Sequence, residues 1–300
     1  MFSALLSRGG LSYDRLLNFC RIAEAGGISK AAAGDPAKQS LYSRQIRELE
    51  EFFGVELKRR HGKGLVITDA GRRLAQLARA HLLGLEDFKR EAAGIPKRLS
   101  IASGNSILEW VLLPKIAALR KALPDTTLEF FSERTATIRD RLTDMTLDIG
   151  LIREDALVGP LKAKRLFAGG YMLFLPRRLA RGVTEANLKA HIAEIPLATS
   201  IGGQFRETLE SAATTAKWPL WITVSCASFT QAARIMAAGE CGAVLPAFAA
   251  RDFEPAKVVT LPLPFLRGRD RHICVAWNPR LGEVRPVVER AWATVASLAS

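Results

Sequence analysis

Acidic side chains are the minority in this chain of 300 residues: 30 Asp and Glu stand against 43 Lys and Arg, a formal net charge of +13. That balance favours a polyanionic partner over an acidic one. Cysteine and histidine are scarce, at four each. Cys20, Cys226, Cys241 and Cys274 follow no zinc spacing, and the histidines are scattered, so no metal site is expected. There is no Gly-x-Ser-x-Gly elbow and no P-loop, and Ser103-Gly104-Asn105-Ser106 is no nucleotide signature. An enzyme and a bound cofactor are therefore not expected. No uninterrupted apolar run is long enough to span a bilayer. The apolar stretch from Phe2 to Leu6 is short and is stopped by Arg8, so no signal peptide is read, residues 1–10 are expected to be a loose tail, and a cytoplasmic protein without a membrane partner is expected. What remains is 48% hydrophobic, enough to build cores for two or three domains.

The chain is organised around residues 11–71. Leu16, Phe19, Cys20 and Ala23 recur at helical spacing, with Ser12 as cap and Gly26-Gly27 as stop. A short helix over about 28–33 follows and is punctuated by Gly34-Asp35-Pro36. The spacing predicts a third helix over 39–53 that turns Leu41, Ile46, Leu49 and Phe52 or Phe53 inward. Two short helices joined tightly, the second exposing Gln39, Ser43, Arg44 and Arg47, make a helix-turn-helix. Val55 to Leu57 and Leu65 to Ile67 read as short strands around KRRHGKG, whose glycines at 62 and 64 suit a hairpin tip. Arg59, Arg60, His61 and Lys63 give this wing the charge to lie on phosphates or in a minor groove. Helix-turn-helix geometry also occurs in proteins that bind no nucleic acid. Charge alone does not locate the binding part: residues 1–97 carry 17 basic against 11 acidic side chains, and 98–300 carry 26 against 19.

Phe19, Gly27-Ile28, Ala31-Ala32, Gln39, SRQI at 43–46, Leu49-Glu50, FGVEL at 53–57, Arg60 and Ile67-Thr68-Asp69-Ala70-Gly71 stand in the order found in LysR-type transcriptional regulators. The chain resembles that family densely here and more weakly through its remainder. The resemblance implies an N-terminal all-α winged helix-turn-helix with a linker helix, then a C-terminal α/β effector domain of two Rossmann-like lobes, similar to periplasmic binding proteins. The implied function is a sequence-specific DNA-binding regulator modulated by a small molecule between those lobes. Arg44 and Gln39 would read base edges or adjacent phosphates of double-stranded DNA, supported by Tyr42, Ser43 and Arg47. Tyr42 equally suits the core, because the family usually has Leu there. Asp35-Pro36, Lys38, Ser40 and Lys58 depart from the family pattern, and Asp35 is a candidate cap in place of the missing Ser. These departures keep open a small-molecule-binding or partner-binding protein that has lost specific DNA binding. Some family members sense redox state through cysteines; here Cys20 reads most simply as core.

Thr68 suits the N-cap of a helix running to about Ala93, striped by Leu74, Leu77, Ala78, Leu82, Leu85, Phe88 and Ala92. In the family this helix pairs antiparallel with its copy, which implies a homodimer and, by two kinds of contact, a homotetramer; the alternative is that the stripe packs on its own chain. Residues 94–97 read as a hinge. The expected domains are thus 1–71, 68–97 and 98–300, with lobe one over about 98–164 and 268–300 and lobe two over about 165–267. Strand-like runs at Leu99–Ala102, Thr127–Phe131 and Leu147–Ile152, with helices at 108–122 and 137–142 between them, give a βαβαβ order with ligands near strand ends. CGAVLPAF at 241–248 resembles a family segment ending in Leu-Pro. Strand-end logic and the resemblance together put Asn105, Ser106, Ser132, Glu133, Arg134, Ser200, Ile201, Gly202, Phe229 and Thr230 on the wall of the cleft. Helix amides near Ser106 and the Arg134 guanidinium suit an anionic effector. Ser106 as a plain cap, Arg134 as a surface charge and Phe229 as core remain the alternatives.

Overall fold

The computed structural model describes residues 9–61, 64–201 and 204–299. Its N-terminal unit is α1 (Tyr13–Ala25), α2 (Ile28–Ala31), α3 (Pro36–Phe53) and a hairpin of β1 (Lys58–His61) and β2 (Gly64–Ile67). Ser12 caps α1 by accepting from the Arg15 N–H, and Gly26 ends it in the left-handed conformation. The third helix begins at Pro36 rather than at Gln39. Asp35 accepts from the Ala37 and Lys38 N–H groups, and Pro36 takes the first helical position, where its missing N–H costs nothing. Phe19, Ile22, Tyr42, Ile46, Leu49, Leu57 and Ile67 are the buried side chains around which these elements close.

Two contacts fix the wing against the helices. The Glu50 carboxylate accepts from the N–H groups of Leu57 at 2.9 Å and Lys58 at 3.2 Å, tying the root of the hairpin to α3. Gly71 presses the other side: a Cβ there would lie 2.3 Å from the Leu57 carbonyl oxygen and 2.7 Å from Ile67 Cγ2.

The linker helix α4 (Asp69–Ala92) is capped by Thr68, as its sequence indicates. Its expected single stripe divides between two faces. Ala75, Ala78 and Ala80 are buried, while Leu77, Leu85 and Phe88 stay exposed, Phe88 at 70%. The buried face packs partly on the chain's own C-terminal domain. Gly84 lies against Val284, Gln76 donates to the Thr143 carbonyl at 3.1 Å, and Arg79 donates to the Asp144 carbonyl. Beyond these sits a buried ion triad. Arg285 bonds Asp87 of α4 at 2.7 Å through Nε and Asp148 through Nη1.

The C-terminal part contains two five-stranded sheets. The first pairs β3 (Lys97–Ser103) in parallel with β4 (Thr126–Ser132) and β5 (Ile149–Arg153). Antiparallel β12 (Arg271–Trp277) and then β6 (Lys162–Gly169) complete it. The second sheet has β8 (Leu197–Ser200) in parallel between β9 (Ile222–Cys226) and β10 (Gly242–Pro246). Antiparallel β7 (Tyr171–Pro176) and β11 (Val258–Pro262) extend it. The chain passes from the first sheet to the second at Gly169-Gly170, beyond the boundary expected near Arg165, because β6 pairs with β12 along its length. The segment expected to be one helix over 108–122 starts instead at Asn105 and changes winding: α-helical at Asn105–Ile107, a π turn at Leu108–Leu112, a 3-10 turn at Leu113–Lys115, then α5 (Ile116–Ala122). Pro114 has no N–H to give to the preceding turn, which accounts for the break.

Candidate functional site

The polar face of α3 projects Gln39, Ser43, Arg44 and Arg47 at helical spacing, away from the core formed by Tyr42, Ile46 and Leu49. Arg44 has a side chain 69% exposed, and among the described residues its ion-pair partner is Glu48 at 3.9 Å. Glu48 itself is held more closely by Arg15, at 2.6 Å, which leaves Arg44 loosely tethered. Arg47 and Arg59 are exposed, and Gln39 and Ser43 are half-buried on the same side. Tyr42, at 6% exposure, packs in the core, the alternative its position allowed, rather than on the exposed face. Arg60 and His61 lie on β1, opposite Leu65 and Gly64; their side chains, and Lys63, fall outside the described residues.

Between the two lobes lies a cavity of about 540 Å³. Asn105, Ser106, Ser132, Glu133, Arg134, Ser200 and Phe229 line it, all from the set read in the sequence. Thr230 stands beside it, accepting from Asn105 Nδ2 at 2.7 Å, so that a residue of one lobe is bonded to a residue of the other. Ile201 is corrected: it is 61% exposed, one residue past the end of β8, and is not among the residues that line the cavity. Gly202 lies outside the described residues. Glu133 is occupied by Arg141, while Arg134 stays exposed at the rim without an ion-pair partner among the described residues. The sequence reading missed Arg153, Tyr171, Phe205, Phe248 and Arg271, which also line the cavity. They come from strands at the crossing between lobes and from elements packed beside it, so no local motif marks them. Burial pushes the Tyr171 phenol up, and the nearby Arg271 and Arg153 guanidinium groups pull it back.

Among the described residues no cluster of His, Cys, Asp and Glu is arranged to hold a metal ion. No helix among them is long and apolar enough to cross a membrane. The cysteines are free thiols. Burial raises the pKa of Cys20, Cys226 and Cys274, and Cys241 is buried. A thiol held protonated is a poor nucleophile. At neutral pH the native protein is expected to react with iodoacetamide several times more slowly than the same chain in denaturant. Mass spectrometry of timed samples checks this, and rapid stoichiometric labelling of one cysteine in the folded protein would refute it.

A winged helix-turn-helix on a long helix, joined to a two-lobed α/β cleft, is the plan of a ligand-responsive DNA-binding regulator. Residues 13–72 match the bacterial regulatory helix-turn-helix protein of the lysR family, and residues 92–299 match the LysR substrate binding domain. BbuR, an HTH-type transcriptional regulator of Bordetella bronchiseptica, is 28% identical over 269 residues, covering 85% of this chain and 80% of its own. A probable hydrogen peroxide-inducible genes activator of Mycobacterium xenopi is 30% identical over 162 residues, covering 53% of this chain and 86% of that protein. The solved structure of ArgP from Mycobacterium tuberculosis superposes with a TM-score of 0.66 at 19% identity, covering 97% of this chain and 98% of that one, which shows the shared fold. The chain belongs to the LysR family of transcriptional regulators. It is a DNA-binding regulator with an effector-binding domain, and the reading as a binding protein without DNA recognition is not favoured.

Proposed function

We propose that Arg44 and Gln39 read the operator, with Ser43 and Arg47 beside them and the Arg59 side of the wing on the neighbouring backbone. The observation that carries this is the face of α3: two exposed arginines and two polar side chains at helical spacing, backed by a rigid core and flanked by a basic hairpin. Arginine matches the acceptor edge of guanine and glutamine that of adenine in the major groove. The domains divide as 1–71, 68–97 and 98–300, with the exposed Leu77, Leu85 and Phe88 face of α4 covered by a second copy. A dimer made this way presents two recognition helices to a dyad site, and a tetramer follows from a further contact. The protein then acts in the cytoplasm, where bacterial DNA is. A small anionic effector enters the cleft and shifts the balance among shapes of the assembly.

The test is selection of DNA from a random pool, followed by titration of the enriched sequence. A dyad motif is expected. Arg44→Ala is expected to weaken binding to it by about 1–3 kcal/mol and to relax preference at one position of each half-site. Unchanged affinity and unchanged preference in Arg44→Ala would remove that residue from the reading surface.

A further inference from the structure

The cleft brings together cations and aromatic rings from distant parts of the sequence. Arg271 begins β12 and Arg153 ends β5, where it stands opposite Ile273. Residues 271 and 273 point to one face of their strand, so Arg271, Ile273 and Arg153 meet on the same wall of the cavity. Arg153 is engaged with Asp155 at 3.2 Å. The Arg271 side chain has no ion-pair partner and no hydrogen bond among the described residues; its guanidinium carbon lies 5.7 Å from the centroid of the Tyr171 ring. Tyr171 in turn belongs to an aromatic cluster. Its centroid is 4.3 Å from that of Phe205 and 5.9 Å from that of Phe229, and Phe205 and Phe229 are 4.7 Å apart.

We propose that the effector is a small aromatic carboxylate, its carboxylate taken by Arg271 and its ring placed against Tyr171 and Phe229. This rests on the reading of the cleft as the effector site. Arg271 is half-buried and has no ion-pair partner among the described residues, and a carboxylate matches the planar fork of its guanidinium in both shape and charge. A ligand ring extends the aromatic cluster with the edge and offset contacts that such rings favour. The one carboxylate among the described residues of the wall, Glu133, is paired with Arg141 and so repels an anion less. A cavity of about 540 Å³ suits a substituted ring. An aliphatic anion leaves the aromatic wall unused, a neutral aromatic leaves Arg271 without a counter-charge, and inorganic phosphate supplies charge with no ring.

The test is calorimetric titration of the full chain with benzoate, cyclohexanecarboxylate, benzamide and inorganic phosphate. Benzoate is expected to bind tightest of the four. Arg271→Gln is expected to weaken benzoate by about tenfold to a hundredfold, to leave benzamide unchanged, and to retain the parent's circular dichroism. Arg271→Lys, which keeps the charge and loses the fork, is expected to fall between. Ser106→Trp, which fills the cleft from the lobe facing Tyr171 and Phe229, is expected to abolish benzoate binding. Tighter binding of cyclohexanecarboxylate or phosphate, lost in Ser106→Trp, would overturn the aromatic class and leave the cleft as the effector site. Benzoate binding unaltered in both Arg271→Gln and Ser106→Trp would overturn the reading of the cleft itself. No binding of benzoate by the folded chain would overturn the proposal.

Discussion

Replacing Arg285 with Ala is expected to destabilise the C-terminal domain by about 3–5 kcal/mol at neutral pH, the cost of leaving buried charges without their partner. Arg285 is 3% exposed and sits where two parts of the chain meet. Its Nε donates to Asp87 on the linker helix at 2.7 Å, its Nη2 to the Arg98 carbonyl at 2.7 Å, and its Nη1 to Asp148. Asp148 also accepts from the Ser100 N–H at 2.8 Å and the Ser100 hydroxyl at 2.9 Å. Burial opposes the Arg285 charge, but Asp148 and Asp87 more than offset it and hold the guanidinium pKa above its ordinary value. Burial also pushes the Asp148 carboxyl up, with Arg285 pulling it down. Removing the cation therefore leaves Asp148 and Asp87 facing each other, and Asp148 rises further. A carboxyl whose pKa is higher in the folded state binds more protons folded than unfolded, so its effect on stability worsens as pH rises through the folded value. The deficit of Arg285→Ala should thus shrink as pH falls through that value toward the ordinary carboxylate range. Asp87→Asn, which leaves one cation against one carboxylate, should cost less and should loosen α4 from the domain. Urea unfolding followed by circular dichroism at several pH values measures both. A loss under about 1 kcal/mol in Arg285→Ala at neutral pH would show the triad to be dispensable.

That triad also marks the limit of what could be read from the residues alone. Asp87 and Arg285 are separated by 198 positions and Asp148 and Arg285 by 137; nothing local pairs them. The same is true of the cleft. Asn105, Ser106 and Arg134 follow strand ends, and strand ends are visible as apolar runs stopping at polar residues. Arg153, Tyr171 and Arg271 gather only because β5, β7 and β12 meet at the crossing between sheets. Strand β6 escaped notice because KAKRLFAG is charged along one half and largely uncovered, so it shows little apolar pattern. The helix-turn-helix was legible for the opposite reason. Ser12, Gly26 and Gly54 act within one turn of their helices. The start of α3 was misplaced because Pro36 looked like an interruption, whereas Asp35-Pro36 is a cap followed by a first helical residue. Tyr42 could be assigned only when its surroundings were seen.

Gly71→Ala is expected to impair DNA binding more than its cost in stability implies. Within a helix, Ala is ordinarily better than Gly by up to about 1 kcal/mol. Here the new methyl group would stand 2.3 Å from the Leu57 carbonyl oxygen and 2.7 Å from Ile67 Cγ2. Neither can yield cheaply. Leu57 is buried, its N–H is bonded to Glu50, and its carbonyl accepts from the Thr68 N–H at 3.1 Å. Ile67 pairs with Lys58 in the hairpin. Relief requires the root of the wing to move away from α4, and overpacking of this kind costs about 1–3 kcal/mol. The movement also shifts Lys58 and Arg59 relative to Arg44 and Arg47, because β1 starts directly after Leu57. The wing then no longer reaches phosphates in register with the recognition helix. The measurement is affinity for the selected operator over a range of salt, alongside thermal unfolding. The variant should remain folded, bind more weakly at each salt concentration, and show a shallower salt dependence, since fewer phosphates are neutralised. A stable Gly71→Ala with the parent's affinity and salt slope would mean that the wing root adjusts freely and takes no part in setting the binding face.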